Sequence, residues 1–147
     1  MSSERVYFVP EIKDPKNPTV AEIEAGVYLG ERYVRSVYLA GPMRNIAYFN
    51  FPAFHAAAKF LRSIGHVVVS PAEHDEESGF DFSQCDGTED LAALGFDLKE
   101  ALMWDLRAVA ECDVIFLLPG WENSKGAKAE LALAEALGKD VILGYLD

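Results

Sequence analysis

The chain has 147 residues, half of them hydrophobic and a quarter charged, which suits one domain with a real core and is too short for two ordinary ones. Thirteen Lys and Arg against 24 Asp and Glu leave a formal net charge of -11. That excludes a general DNA- or RNA-coating protein, which needs a basic footprint, but not a protein that holds a small phosphorylated ligand through a few backbone N–H groups. No apolar run reaches the roughly 18 residues of a membrane span, and the N-terminus lacks a signal-peptide pattern. A cytoplasmic protein is therefore expected.

In chain order, residues 1–34 differ from the rest. "RVYFVPEI" reads as a short edge strand, "DPKNP" breaks it, and "TVAEIEAG" reads as a short helix with Thr19 as cap and Gly26 as stop. The region is too short to bury a core and is taken as an arm or cover on a domain spanning 35–147. Regular alternation then begins. "SVYLAG" is a strand ending in glycine, and "FPAFHAAAKFLRSIG" a helix with Pro52 in its first turn and Phe54, Ala57, Ala58 and Leu61 on its apolar stripe. "HVVVSP" is the next strand, closed by Pro71.

Residues 72–95 are acidic and rich in turn formers, and read as a long loop of the lid or binding kind. Helical periodicity returns over 96–112, "DVIFLLP" is a nearly continuous apolar strand, a helix starts at Ser124 or Lys125, and "KDVILGYLD" supplies a final strand. Fully apolar strands alternating with helices predict a single-domain, Rossmann-like α/β sandwich. Its parallel sheet has about five strands, with helices on both faces.

Two helices break their own pattern. Ala127, Glu130, Ala134 and Leu137 share one face by spacing, and Asp105 sits within the stripe Leu98, Leu102, Leu106 and Val109. Carboxylates are rarely buried unless paired or useful. Either one alone reads as a cap or salt-bridge partner, but two beside the same predicted strand point to a site. The loops "AGPMRN" and "PGWENSKGA" follow predicted strands, where an open parallel sheet places its ligand crevice. Ser124 and Gly126 stand at a helix start, where free N–H groups and a hydroxyl suit an anion, although an N-cap and a close-packing glycine are equally ordinary readings. Trp121 either stacks on a base or covers the sheet edge. Tyr38 reads as core, and Tyr48, Phe49 and Phe51 as either a base platform or packing. His55 and His66 read as surface or element-end residues, and His74 as a weak acid/base candidate. Cys112 reads as a core thiol, and Cys85 as loop-borne. No metal-binding spacing and no glycine motif of the Rossmann or P-loop type is present.

"VYLAGPMRN", "MWDLRAVAECDVIFLLPGW" and "SKGAKAELALAEALGK" together resemble the nucleoside 2-deoxyribosyltransferase superfamily over about residues 36–145. The likeness is strongest to its small phage and bacterial branch, and more distant to the 2'-deoxynucleoside 5'-phosphate N-glycosidases. The resemblance implies that Glu130 attacks the anomeric carbon of deoxyribose and that Asp105 positions sugar and nucleophile; Asp105 would alternatively assist protonation of the leaving group if burial raises its pKa. It further implies that Gly41, Pro42, Met43 and Arg44 line a nucleotide pocket, and that Ser124 and Gly126 hold a 5'-phosphate. The implied ligand is a nucleoside or nucleoside monophosphate, with no metal or other cofactor and no nucleic-acid polymer. The competing expectation is a non-catalytic nucleotide-binding or sensing module; a structural phage protein is a third. A homodimer or larger homo-oligomer is expected from the apolar content of helices 51–64 and 97–111, which calls for a partner surface.

Overall fold

The computed structural model describes residues 4–9 and 35–146. The strands β1 (Glu4–Val9), β2 (Ser36–Ala40), β3 (Val67–Val69), β4 (Val114–Leu117) and β5 (Asp140–Leu146) form one sheet in the order β1-β5-β4-β2-β3. Every pairing is parallel, including Val37 opposite Val114 and Glu4 opposite Val141. Four α-helices are described: α1 (Phe51–Ser63), α2 (Pro71–Glu77), α3 (Leu98–Glu111) and α4 (Lys125–Ala136). The expected edge strand is β1, whereas the short helix read over 19–26 lies outside the described residues.

The layers follow from side-chain alternation along each strand. Val37, Leu39, Val114, Phe116 and Leu118 face one side and bury against Phe54, Ala57, Ala58 and Leu61 of α1. Tyr38, Ala40, Ile115 and Leu117 face the other and bury against Ala108 and Val109 of α3 and Ala127 and Ala134 of α4. Right-handed crossovers account for this division. The chain moves outward from β2 to β3 through α1, then inward from β3 to β4 and β5 through α3 and α4. Among the described residues, no helix is long and apolar enough to cross a membrane.

The two helices expected to need a partner differ. Helix α1 buries Phe51, Phe54, Ala57, Ala58, Phe60 and Leu61 within its own chain. Helix α3 buries only Ala108 and Val109 and leaves Leu98 63% and Met103 54% exposed.

The reading of 72–95 as one long loop is corrected. Pro71 does not merely close β3; it opens α2, with its fixed φ suited to a first helical turn. The remainder is clasped to the 42–50 loop, since Asn45 N donates to Gly87 O at 2.8 Å and Tyr48 N to Cys85 O at 3.0 Å. Phe82 and Phe80 carry this segment into the core, their ring centroids 4.8 and 6.0 Å from that of Phe51. Cys85 is accordingly buried in that core. The clasp depends on Gly87, which has φ +97° and would place a Cβ 2.1 Å from Ile46 O. Gly87→Ala is expected to lower stability by more than about 2 kcal/mol, through φ strain and the backbone clash together. Chemical denaturation checks this, and a midpoint equal to that of the wild type would contradict the clasp.

Candidate functional site

In the strand order, the chain leaves β2 toward β3 and leaves β4 toward β5, so β2 and β4 are neighbours whose connections diverge. Such a divergence opens a crevice at the carboxyl ends of the strands. Here it has a volume of about 1270 Å³. The loops 41–46 and 119–126 border it, with Asp75 of α2, segment 90–98 and the Ala101, Leu102 and Asp105 face of α3 forming the remaining wall. The two loops start in close contact: Leu118 N donates to Ala40 O at 2.8 Å, and a Cβ at Gly41 would meet Leu118 Cβ at 2.8 Å. Glycine at 41 is thus a steric requirement for the crevice mouth.

The adjoining turn carries unusual backbone. Tyr48, Phe49 and Asn50 have φ of 58°, 50° and 61°, a left-handed run that costs about 1 kcal/mol or more per residue. It buries Phe49 in the crevice wall, leaves Tyr48 47% exposed, and aims Asn50 Nδ2 at Pro42 O, 2.8 Å away. The exposure of Tyr48 and the burial of Phe49 and Phe51 divide a trio that the sequence treats alike.

A cluster of acids lies on and beneath the crevice wall. Ser124 caps α4, its hydroxyl accepting from Ala127 N at 3.1 Å, and this sets the helix whose inner face carries Glu130. Glu130 is only 5% exposed and accepts a short hydrogen bond from the Tyr38 hydroxyl. Tyr38 is fully buried on β2, where a phenol needs a partner for its O–H. Asp105 on α3 faces the same place with its Oδ1 buried and without a hydrogen-bond partner. Asp75 on α2 is 7% exposed and lines the crevice. Among the described residues, no group of three or more acidic, His or Cys side chains has the arrangement of a metal site.

Burial first, and the charge of Asp105 second, push Glu130 up to about 8, while the Tyr38 hydrogen bond pulls the other way. Burial, then the charge of Asp75, raise Asp105 to about 7, again partly offset by Tyr38. Burial alone raises Asp75 to about 7. Tyr38 is driven well above its ordinary value by burial and then by the carboxylates around it. Such a cluster retains protons at neutral pH, Glu130 most firmly, so part of it is held as neutral carboxylic acid there.

Of the residues singled out in the sequence, Gly41, Pro42, Met43, Arg44, Asp105, Ser124 and Gly126 line the crevice together. Glu130 lies beneath it rather than among the lining residues, and Trp121 packs against the core on the α3 and α4 side. Among the three histidines, His55 pairs with Glu76 at 2.9 Å, His66 is buried and accepts from Arg35 N at 3.2 Å, and His74 stacks on Trp104 with centroids 3.7 Å apart. Tyr38 and Asp75 are the two participants that sequence reasoning misses. A tyrosine hydroxyl in an otherwise apolar strand is the available sign for the first. The Ser70-Pro71-x-Glu73 helix start is the sign for the second, since it fixes Asp75 on a helix.

The profile of DUF4406, a domain of unknown function, matches residues 35–143. The chain belongs to this DUF4406 family. No curated protein matches the chain. The DUF4406 match covers every residue of the cluster: Tyr38, Asp75, Asp105 and Glu130.

A pH dependence of stability follows. The unfolded carboxyls titrate near 3.8 and 4.5, the folded ones near 7 and 8, so the folded state binds more protons between these limits. Stability is therefore fullest at the acidic side of this window, falls as pH rises from about 4 to 8, and levels above it. Each pH unit by which a folded carboxyl titrates above its unfolded counterpart is worth on the order of 1.4 kcal/mol. Coupling among the three acids and local relaxation reduce the sum, so the decline should total a few kcal/mol. Thermal melting from pH 5 to 8.5 reads it, with Asp105→Asn flattening the slope; identical slopes in variant and wild type would contradict the burial of this charge.

Proposed function

We propose that this DUF4406 protein cleaves the N-glycosidic bond of a 2'-deoxynucleoside or its 5'-monophosphate, with Glu130 as nucleophile. The observation carrying this reading is a buried glutamate held by a tyrosine beneath a switch-point crevice, with Asp105, whose Oδ1 is buried, on the crevice lining. The resemblance of the three sequence segments to nucleoside 2-deoxyribosyltransferases supports it, and so does the position of Ser124, Lys125 and Gly126 at the crevice-facing start of α4, suited to a phosphate.

Leaving of the base develops oxocarbenium character at C1', which a carboxylate stabilises or captures as a glycosyl ester. Tyr38 keeps the attacking oxygen oriented, and Asp105 positions the sugar. Water then releases deoxyribose from Glu130, or a second base accepts it. Because Glu130 attacks as the anion, turnover rises with pH toward its raised value near 8.

A second reading is a nucleotide-binding or sensing module without catalysis, in a phage or in a cell. It is favoured by the location of Glu130 beneath the crevice wall instead of on it. A panel of deoxynucleosides and monophosphates separates the two, as binding without base release supports the module. If the enzyme reading holds, Glu130→Gln lowers base release by several orders of magnitude while nucleotide binding survives, as measured by chromatography and calorimetry. Unchanged release in Glu130→Gln removes Glu130 as nucleophile.

We propose a second copy of the chain as the partner of α3, which leaves Leu98, at the crevice, and Met103 exposed. Sedimentation at micromolar concentration is expected to give a dimer or larger oligomer, which Met103→Glu weakens. A wild-type monomer would contradict this pairing. Cytoplasmic placement remains part of the proposal.

A further inference from the structure

Asp75 has no role in the mechanism above, yet it is buried and lines the same crevice. No hydrogen bond or ion pair joins its carboxyl to another described side chain, although its neighbours on α2 are paired: Glu73 with Arg62 at 2.6 Å and Glu76 with His55 at 2.9 Å. The Arg62 guanidinium and the His55 ring of α1 that face this helix are thereby engaged elsewhere. A buried acid without a partner costs stability, which a structural role does not explain.

Its charge reaches the other acids: Asp75 raises Asp105, Asp105 raises Glu130, and all three carboxyls raise Tyr38, so Asp75 belongs to the same cluster. The phosphate-suited loop 124–126 borders the crevice on the α4 side, where Glu130 lies below. Asp75 shares the crevice lining with the rings of Phe49, Phe51 and Phe96, which suit a planar base.

From this arrangement we infer that Asp75 is a catalytic residue, the proton donor to the departing nucleobase. The inference rests on the proposed glycosidic cleavage. A Glu130 oxygen bonds to C1' as the C1'–N bond breaks; its electron pair goes to the base, and the Asp75 proton goes to a base nitrogen or oxygen. Water next attacks C1', gives its proton to the Asp75 carboxylate, and frees Glu130 as the anion. The cycle consumes one water and restores both groups. Burial raises Asp75 to about 7, so part of the population carries the proton near neutral pH, with Asp105 and Tyr38 in the same cluster and Arg44, Asp90, Asp97 and Lys125 on the surrounding crevice wall.

The test compares two leaving groups in Asp75→Asn: the natural base of the nucleotide that the wild type cleaves fastest, and p-nitrophenolate on the same 2-deoxyribose. The phenolate leaves without a proton. The expected result is a loss of about 10²- to 10⁴-fold in base release, against a change below about threefold in p-nitrophenol release. The alkaline limb that loss of the Asp75 proton sets against the rise due to Glu130 should vanish with it, leaving only the rise. Retained p-nitrophenol release also reports a folded variant, and Asp75→Glu, which keeps an acid, should restore part of the base release. Equal losses on both substrates with no rescue by Asp75→Glu, or base release unchanged in Asp75→Asn, overturn the role of Asp75. Wild-type protein that releases neither group overturns the glycosidic reading itself, and this inference with it.

Discussion

The hydrogen bond between Tyr38 and Glu130 is the constraint on which the rest of the site depends. It links the interior strand β2 to helix α4 across the apolar layer between them, where neither group has water to turn to. A glutamate at this depth without the phenol would carry the full cost of its desolvation. The phenol without the glutamate would be a buried donor with nothing to receive its proton. Each makes the other tolerable, and together they fix the rotation of α4 against the sheet. The same rotation brings Ser124 and Gly126 to the crevice and turns Leu137, at the far end, out toward solvent at 50% exposure.

The sheet separates stability from chemistry along its length. At the amino ends of the strands, polar groups are paired: Arg35 with Asp140, and Ser36 with Asp113 through its hydroxyl at 3.0 Å. At the carboxyl ends they are left raised and under-paired, with Asp105 Oδ1 the clearest case. Folding free energy is gained at one edge and in the two apolar layers, and it sustains a destabilised group of acids at the other.

Legibility in the sequence varies with the physics behind each feature. The strands at Ser36–Ala40 and Val114–Leu117 are readable because burial on both faces leaves an unbroken apolar run. Glu130 and Asp105 are readable because helical periodicity exposes a charge in an apolar stripe. Helix α2 is hidden by its composition, since seven residues containing four acids and a histidine look like a solvated loop. Tyr38 is hidden for the opposite reason: tyrosine is an ordinary strand residue, and only a partner 92 positions away gives its hydroxyl meaning. Trp121 offers no periodicity by which to decide between crevice and core. Its packing against the α4-side cluster, which Leu131 and Leu133 also flank, comes from the tertiary path of the 119–124 turn.

The left-handed run at Tyr48, Phe49 and Asn50 bears on how this crevice can change over generations. Three consecutive residues at positive φ exclude β-branched side chains and tolerate few others, so that wall accepts little variation. The facing segment 90–98 has ordinary turns and half-exposed side chains, among them Leu91 and Phe96. Of the two walls, one is conservative by backbone geometry and the other is free to be rebuilt. Members of the lineage that come to accept different planar ligands should therefore differ first in the latter, while retaining the contour of the former.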